Sequence, residues 1–196
     1  VEGSDTGWRS NWQYGKYTDP KNNGYNVWMD EVMFKPRWEG QAAYMLPPIM
    51  NYHNGPTGFT YNPGTGLGKK WKNHFFVSEF VGNPSKSHIW GFTLKHKGFS
   101  FELEKETDVI SGLLPTGIRF GPDGALYFAD WINGWGTKNY GRVWRLDVTE
   151  DENDLQAERL ETESLMEMDY QKADASKLFE LLNYADMRIR QKAQFA

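Results

Sequence analysis

The chain has 196 residues and a formal net charge of −4, enough length for one ordinary domain or parts of two. It holds no cysteine, which excludes disulfides, thiolate metal sites and a cysteine nucleophile. Nine Trp, ten Tyr and twelve Phe beside twenty Gly suit short strands joined by tight turns, not a helical bundle.

The charge is uneven. Residues 149–170 hold nine acidic side chains and one basic, whereas 1–148 are close to neutral. This pattern predicts a solvated acidic linker and no surface for nucleic acid. No apolar run is long enough to span a bilayer. The chain starts at Val1 and stops at Ala196 inside a helix-like stretch. Both ends read as cut, so an internal piece of a longer protein is expected.

Residues 1–50 are rich in Trp, Tyr, Asn and Gly and lack a helical period. The run Gly7-Trp8-Arg9-Ser10-Asn11-Trp12-Gln13-Tyr14 spaces aromatics as if packed between loops, and Pro47-Pro48 then punctuates the chain. From 56 to 148 the pattern is strands and turns, and it repeats. Pro56-Thr57-Gly58-Phe59-Thr60-Tyr61-Asn62-Pro63 returns as Pro115-Thr116-Gly117-Ile118-Arg119-Phe120-Gly121-Pro122, 59 positions later. Each copy is followed by an apolar strand ending in an acid, Glu79 or Asp130 in the strand stretch, and then by a third strand around 88–94 or 141–147. Several strands per unit at a period of ~40–60 residues is how propeller blades look in sequence.

Gly121-Pro122-Asp123-Gly124 predicts a hairpin turn, because Pro presets φ, Asp can bond its own backbone and Gly supplies positive φ. A longer loop at 64–72 takes its place in the first copy, and a fourth strand is expected at 100–103. Only three strands are evident in the second copy. Residues 171–196 lack Gly and Pro and place Ala175, Leu178, Phe179, Leu181 and Leu182 at helical spacing. A turn at Asn183-Tyr184-Ala185 precedes a second helix near Asp186, with Ile189, Ala193 and Ala196 on its buried face. The expected organisation is therefore 1–148, the last part of a partial β-propeller of about two to three blades; 149–170, the acidic linker; and 171–196, the start of a HEAT-like α-solenoid.

Glu79 and Asp130 occupy equivalent places in the two repeats. Either they converge on a channel to bind a cation, calcium included, or a sugar hydroxyl or to act as a base, or each accepts backbone N–H bonds and fastens a turn. His53 and Asn54 sit on a loop leading into the first repeat, as a proton-accepting or sugar-contacting pair or as a local surface contact. His74, His88 and His96 have no mutual ligand spacing and read as structural. Trp131, Trp135 and Tyr140 flank a Gly-rich loop, where aromatic faces stack on a sugar or planar cofactor or pack between sheets. Gly64-x-Gly66-x-Gly68 fails the spacing of a phosphate loop and precedes a strand, so that reading is rejected.

The segment Leu114-Pro115-Thr116-Gly117-Ile118-Arg119-Phe120-Gly121-Pro122-Asp123-Gly124-Ala125-Leu126-Tyr127-Phe128-Ala129-Asp130-Trp131 resembles the glucose/sorbosone dehydrogenase propellers. With Gly7-Trp8-Arg9, Tyr52-His53-Asn54-Gly55-Pro56-Thr57-Gly58 and Asp186-x-Arg188-x-Arg190, the layout resembles the bacterial multidomain membrane-bound dehydrogenase type, in which a propeller leads to HEAT repeats and a haem c domain. The resemblance implies a periplasmic, secreted or otherwise extracytoplasmic oxidoreductase acting on a sugar or alcohol. It implies pyrroloquinoline quinone (PQQ), with calcium in some members, and electron transfer to a haem c domain outside this piece. His53, Asn54, Glu79, Asp130 and Trp131 are then the candidate substrate or cofactor contacts, and the helical repeats offer a surface to a protein partner. Where the sugar dehydrogenases carry quinone-binding arginines, this chain has Leu114 and Thr116. The alternative is a non-catalytic carbohydrate-binding propeller with the HEAT segment as scaffold.

Overall fold

The computed structural model describes residues 38–39, 49–50, 52–98, 100–134 and 136–196. The aromatic run at 7–14, Pro47-Pro48 and Trp135 lie outside the described residues. The chain divides into two compact units, 1–51 and 52–196, and every element below belongs to the second.

The first sheet contains β1 (Pro56–Tyr61), β2 (Phe75–Glu79), β3 (His88–Lys97) and β4 (Ser100–Ser111), hydrogen-bonded in that order. The second contains β5 (Pro115–Phe120), β6 (Leu126–Asp130) and β7 (Arg142–Leu146). Every pairing is antiparallel. The repeated motif is a structural repeat as well: a bulge falls between Pro56 and Gly58 in one sheet and between Pro115 and Gly117 in the other. The turn at 121–124 forms as its residues dictate. Gly121 N–H donates to Ala125 O at 2.9 Å, Asp123 Oδ1 accepts Ala125 N–H at 3.1 Å, and Gly124 has φ +76°. Strand β4 runs well beyond the expected 100–103. Its later residues alternate across the pair with β3, so Glu106 and Asp108 lie on the face of Phe92 and Trp90, and Thr107 lies on the other.

Strand parity decides where the core sits. On one face of the first sheet lie Phe76 and Ile89, which meet Ile118, Leu126 and Phe128 of the second sheet with Leu67 beside them. Phe76 meets Phe120 edge to face at 5.6 Å between centroids. Each such buried apolar side chain contributes about 1.5–3 kcal/mol relative to exposure. The other face of the first sheet carries a row of aromatics, Phe59, Tyr61, Phe75 and Phe92, in contact with one another. Thus the second sheet presents to the first the face that, in the first, carries the aromatic row.

Three helices follow among the described residues: α1 (Gln156–Glu167), α2 (Ala175–Leu181) and α3 (Met187–Phe195). Helix α1 lies within the acidic stretch. Its inward side is Leu155, Arg159 and Thr162, at helical spacing but mostly polar, so hydrophobic periodicity gives no sign of it. Arg159 donates Nε to Asp123 O at 2.8 Å and grips both oxygens of Asp147 at 2.8 and 2.6 Å, pinning α1 to the second sheet. Helix α3 starts on Asp186, as its sequence predicts, and buries Ile189 and Ala193 against Tyr170 and Leu181. Ala196, Phe179 and Leu182 are exposed, since α3 ends at Phe195 and the outer side of α2 has no neighbour among the described residues.

The helices dock on the sheets through polar groups. Met187 N–H donates to Pro63 O at 2.8 Å, and the Asp186 carboxylate accepts from Thr65 Oγ1 at 2.6 Å. Arg188 binds the same carboxylate and also donates to Gly121 O at 2.8 Å. The acid–Arg pattern therefore ties α3 to the sheet loops. Gly64 has φ +118°, and a Cβ there would run into the Ala185 carbonyl, so only glycine lets this loop meet the helices.

Candidate functional site

Glu79 and Asp130 close β2 and β6, and each accepts the indole N–H of a tryptophan on the next strand. Trp90 donates to Glu79 Oε2 at 2.8 Å and Trp144 to Asp130 Oδ2 at 3.0 Å. A basic residue stands directly opposite each acid in the register, His88 for Glu79 and Arg142 for Asp130. The acid–indole bond is thus a feature of the repeat. Its sequence signal is a Trp at the same place in each third strand, which inspection for catalytic residues passes over.

Beyond that bond the two acids differ. Asp130 is buried, and its Oδ1 accepts Leu114 N–H at 3.0 Å and Ile132 N–H at 2.9 Å. Burial alone would push its carboxyl up, but the bonds from Trp144, Ile132 and Leu114 and the charge of Arg142 outweigh it and hold the pKa below the usual range. Both oxygens are engaged, so Asp130 fastens the start of the loop after β6. Glu79 instead faces a cluster. His53 lies flat on Trp90, with centroids 4.1 Å apart and planes 3° apart. Its Nε2 meets Glu106 Oε2 at 3.2 Å and its Nδ1 lies 3.9 Å from Glu79 Oε2. His88 stacks on the same indole at 4.8 Å while its Nδ1 meets Asp108 at 2.9 Å.

Tyr52 packs edge-on to His53 at 4.5 Å, and its buried hydroxyl has no hydrogen-bond partner among the described residues. Burial first, then the nearby Glu106 and Glu79 carboxylates, raise its pKa far above the ordinary phenol value. Asn54 is exposed beside this cluster in sequence. Among the described residues, no group of three or more His, Cys, Asp or Glu is arranged to hold a metal ion.

Trp131 belongs to a different place, a hollow of about 220 Å3 lined by Trp131, Asn133, Gly136, Thr137, Lys138, Asn139 and Tyr140. Trp131 is 40% and Tyr140 53% exposed. The indole N–H of Trp131 donates to Gly136 O at 3.2 Å, and Phe80 meets the ring edge-on at 6.4 Å, so its orientation is set. Asp130 anchors the loop's first turn. Ile132 adopts φ +72° there, a conformation a β-branched residue reaches only when its surroundings hold it. The structure thus brings Glu79 together with His53, and Asp130 together with the Trp131 loop. Asn133, Thr137 and Asn139 were legible only as loop residues, because nothing in a single sequence says which loop side chains converge.

The quinone implied by the sequence resemblance is rich in carboxylates and needs cationic partners. Leu114 is wholly buried at one expected arginine position, and Arg142, the cation near Asp130, lies 5.7 Å over the Trp144 ring. Among the described residues, the cation that lines the hollow beside Trp131 is Lys138.

No family profile and no curated protein matches the chain. Three solved structures are similar to it. A glucose dehydrogenase is 18% identical over 48% of this chain and 26% of its own, with a TM-score of 0.37. A second glucose dehydrogenase crystal structure is 16% identical over 56% of this chain and 28% of its own, with a TM-score of 0.41. An oxidoreductase described as a glucose dehydrogenase, from Thermus thermophilus, is 18% identical over 55% of this chain and 30% of its own, with a TM-score of 0.38. The chain spans under a third of the length of each.

Proposed function

We propose that this chain is part of a dehydrogenase-like β-propeller protein and that its loop at 131–140 binds a sugar. The observation that carries this reading is the hollow itself. Two exposed aromatic rings offer faces for the C–H surface of a sugar, and Asn133, Thr137 and Asn139 supply amide and hydroxyl groups suited to its hydroxyls. The volume lies below the ~300–1,000 Å3 of sites for drug-sized ligands, which favours one sugar ring over a chain of them. Binding without oxidation is the first reading, supported by Leu114 and Thr116 standing where the sugar dehydrogenases carry quinone-binding arginines.

Oxidation is the second reading, favoured by one observation: His53 is held by stacking between two carboxylates, an arrangement that sets imidazole orientation for proton transfer. In that case the parent protein works outside the cytoplasm and passes electrons to a haem c domain elsewhere in the polypeptide, while the helices receive a protein partner.

Calorimetric titration of the 196-residue chain with a panel of monosaccharides tests the first reading. At least one sugar should bind, with Kd raised up to ~10-fold by Trp131→Ala, since an aromatic stacking contact is worth about 0.5–1.5 kcal/mol. A folded chain that binds none of the panel, or that binds with Trp131→Ala unchanged, overturns it.

A further inference from the structure

The loop that follows the acid-ending strand is built differently in the two repeats. After β2, residues 80–87 spend their polar groups on one another. Asn83 Oδ1 accepts from Ser85 N–H at 3.0 Å and from Ser85 Oγ at 2.9 Å, while Ser87 Oγ donates to Asn83 O at 2.9 Å and accepts Val81 N–H at 3.1 Å. Such a loop is closed by its own turn chemistry. After β6 the loop is held by its first turn and its aromatic ring instead. Asp130 Oδ1 accepts Ile132 N–H, Asn133 N–H donates to Trp131 O at 2.9 Å, and the Trp131 indole bonds Gly136 O. The side chains of Asn133, Thr137, Lys138 and Asn139 make no hydrogen bond or ion pair among the described residues, and all four line the hollow beside Trp131.

The charge of that lining is one-sided. Lys138 is its cation, and among the described residues no carboxylate lines it. Asp130, the acid at the foot of the loop, spends both oxygens on Trp144, Leu114 and Ile132. A Cβ on Gly136 would lie 4.0 Å from Lys138 Cε, so the end of the lysine stem stands beside the residue whose carbonyl holds the Trp131 indole. The ammonium, one bond further on, is therefore within reach of a ligand stacked on that ring.

We infer that the sugar bound by this loop carries one negative charge and that Lys138 selects it, so that the ligand class is a hexuronate or the sulfate ester of a hexose. This inference rests on the sugar reading above and narrows it. One ammonium balances one charge, whereas a phosphate ester at pH 7 brings about −1.5 to −2 and leaves charge unmatched in the hollow. Lysine supplies a compact charge with rotatable donors, which suits an anion carried at the end of a sugar without the fixed fork that an arginine imposes. The amides of Asn133 and Asn139 and the hydroxyl of Thr137 remain for the ring hydroxyls.

Calorimetric titration of the 196-residue chain tests it, with glucose, galactose and mannose each compared with its uronate and its 6-sulfate. For at least one hexose, a charged form should bind about 2–5-fold more tightly than the neutral sugar, the range of a partly exposed ion pair. Which charged form gains more identifies the anion. Raising salt from about 0.02 to 0.5 M should erase the gain. Lys138→Met, which keeps the apolar stem at an exposed site, should leave the circular dichroism spectrum unchanged and abolish the gain, and Lys138→Arg should retain it. Neutral hexoses that bind with no charged form tighter, or a gain that survives Lys138→Met, overturn this inference and leave the sugar reading standing. If no sugar of either kind binds, the sugar reading falls, and this inference with it.

Discussion

Replacing Asp186 by Ala should cost about 3 kcal/mol, and the figure follows from what the carboxylate holds. Asp186 is 0% exposed and accepts from Thr65 Oγ1, from Arg188 N–H, which caps α3, and from the Arg188 guanidinium through Nε and Nη2. Breaking a buried ion pair by removing one partner costs about 3–5 kcal/mol, and a lost N-cap about 1 kcal/mol. These do not simply add, since Arg188 keeps its bonds to the carbonyls of Phe120 and Gly121 and is 19% exposed in its side chain. With a urea m-value of about 1–3 kcal/mol/M, the midpoint should fall by roughly 1.5 M. Asp186→Asn keeps the cap and should lose about half as much. Urea melts followed by far-UV circular dichroism measure both. A cost below about 1 kcal/mol for Ala would mean that the helices do not depend on this junction.

Gly64→Ala should destabilise the unit by at least ~2 kcal/mol and expose the junction to protease, whereas Gly98→Ala, also at positive φ but with open space around it, should cost ~1 kcal/mol. Equal effects would show that the approach of Ala185 is unimportant. Asp130→Leu should cost more than Glu79→Leu, about 3 against about 1–2 kcal/mol, because it strands two backbone donors as well as an indole. Urea midpoints of the two variants decide this. Stability should also fall in acid. Asp123, Asp130 and Asp147 are each raised by burial but lowered further by their bonds to Arg145, Trp144 and Arg159 respectively and by backbone N–H groups. With folded pKa values below the unfolded value of about 3.9, the unfolded chain binds more protons as pH drops. Their contribution is complete above the unfolded pKa and lost as pH falls through the folded values. Urea midpoints from about pH 6 to 3 should trace this loss, and Arg159→Met should flatten it. A flat profile in the unaltered chain refutes the assignment.

Much of the fold was legible because its causes are local. Short apolar runs between turn residues mark β2, β3 and β6, the residues at 121–124 carry their own turn chemistry, and Asp186 caps the helix after it. The repeat of Pro-Thr-Gly foretold two similar sheets. Helix α1 was hidden, since an arginine and a threonine on its inner side look like the rest of an acidic surface until Asp147 and Glu158 accept their hydrogen bonds.

The site shows the same division. Residue types and spacing by themselves singled out Glu79, Asp130, His53 and Trp131, because acids at strand ends, a loop histidine and an aromatic beside glycines are chemical signals carried by the chain. Only the tertiary structure decided what each carboxylate does. Asp130 gathers Leu114 and Trp144 from 16 and 14 positions away and becomes a fastener, while Glu79 meets His53 and Trp90. Thr65 reaches Asp186 across 121 positions. A hydrogen bond depends on distance in space, and along a folded chain that distance is set by how sheets and helices pack, not by separation in sequence.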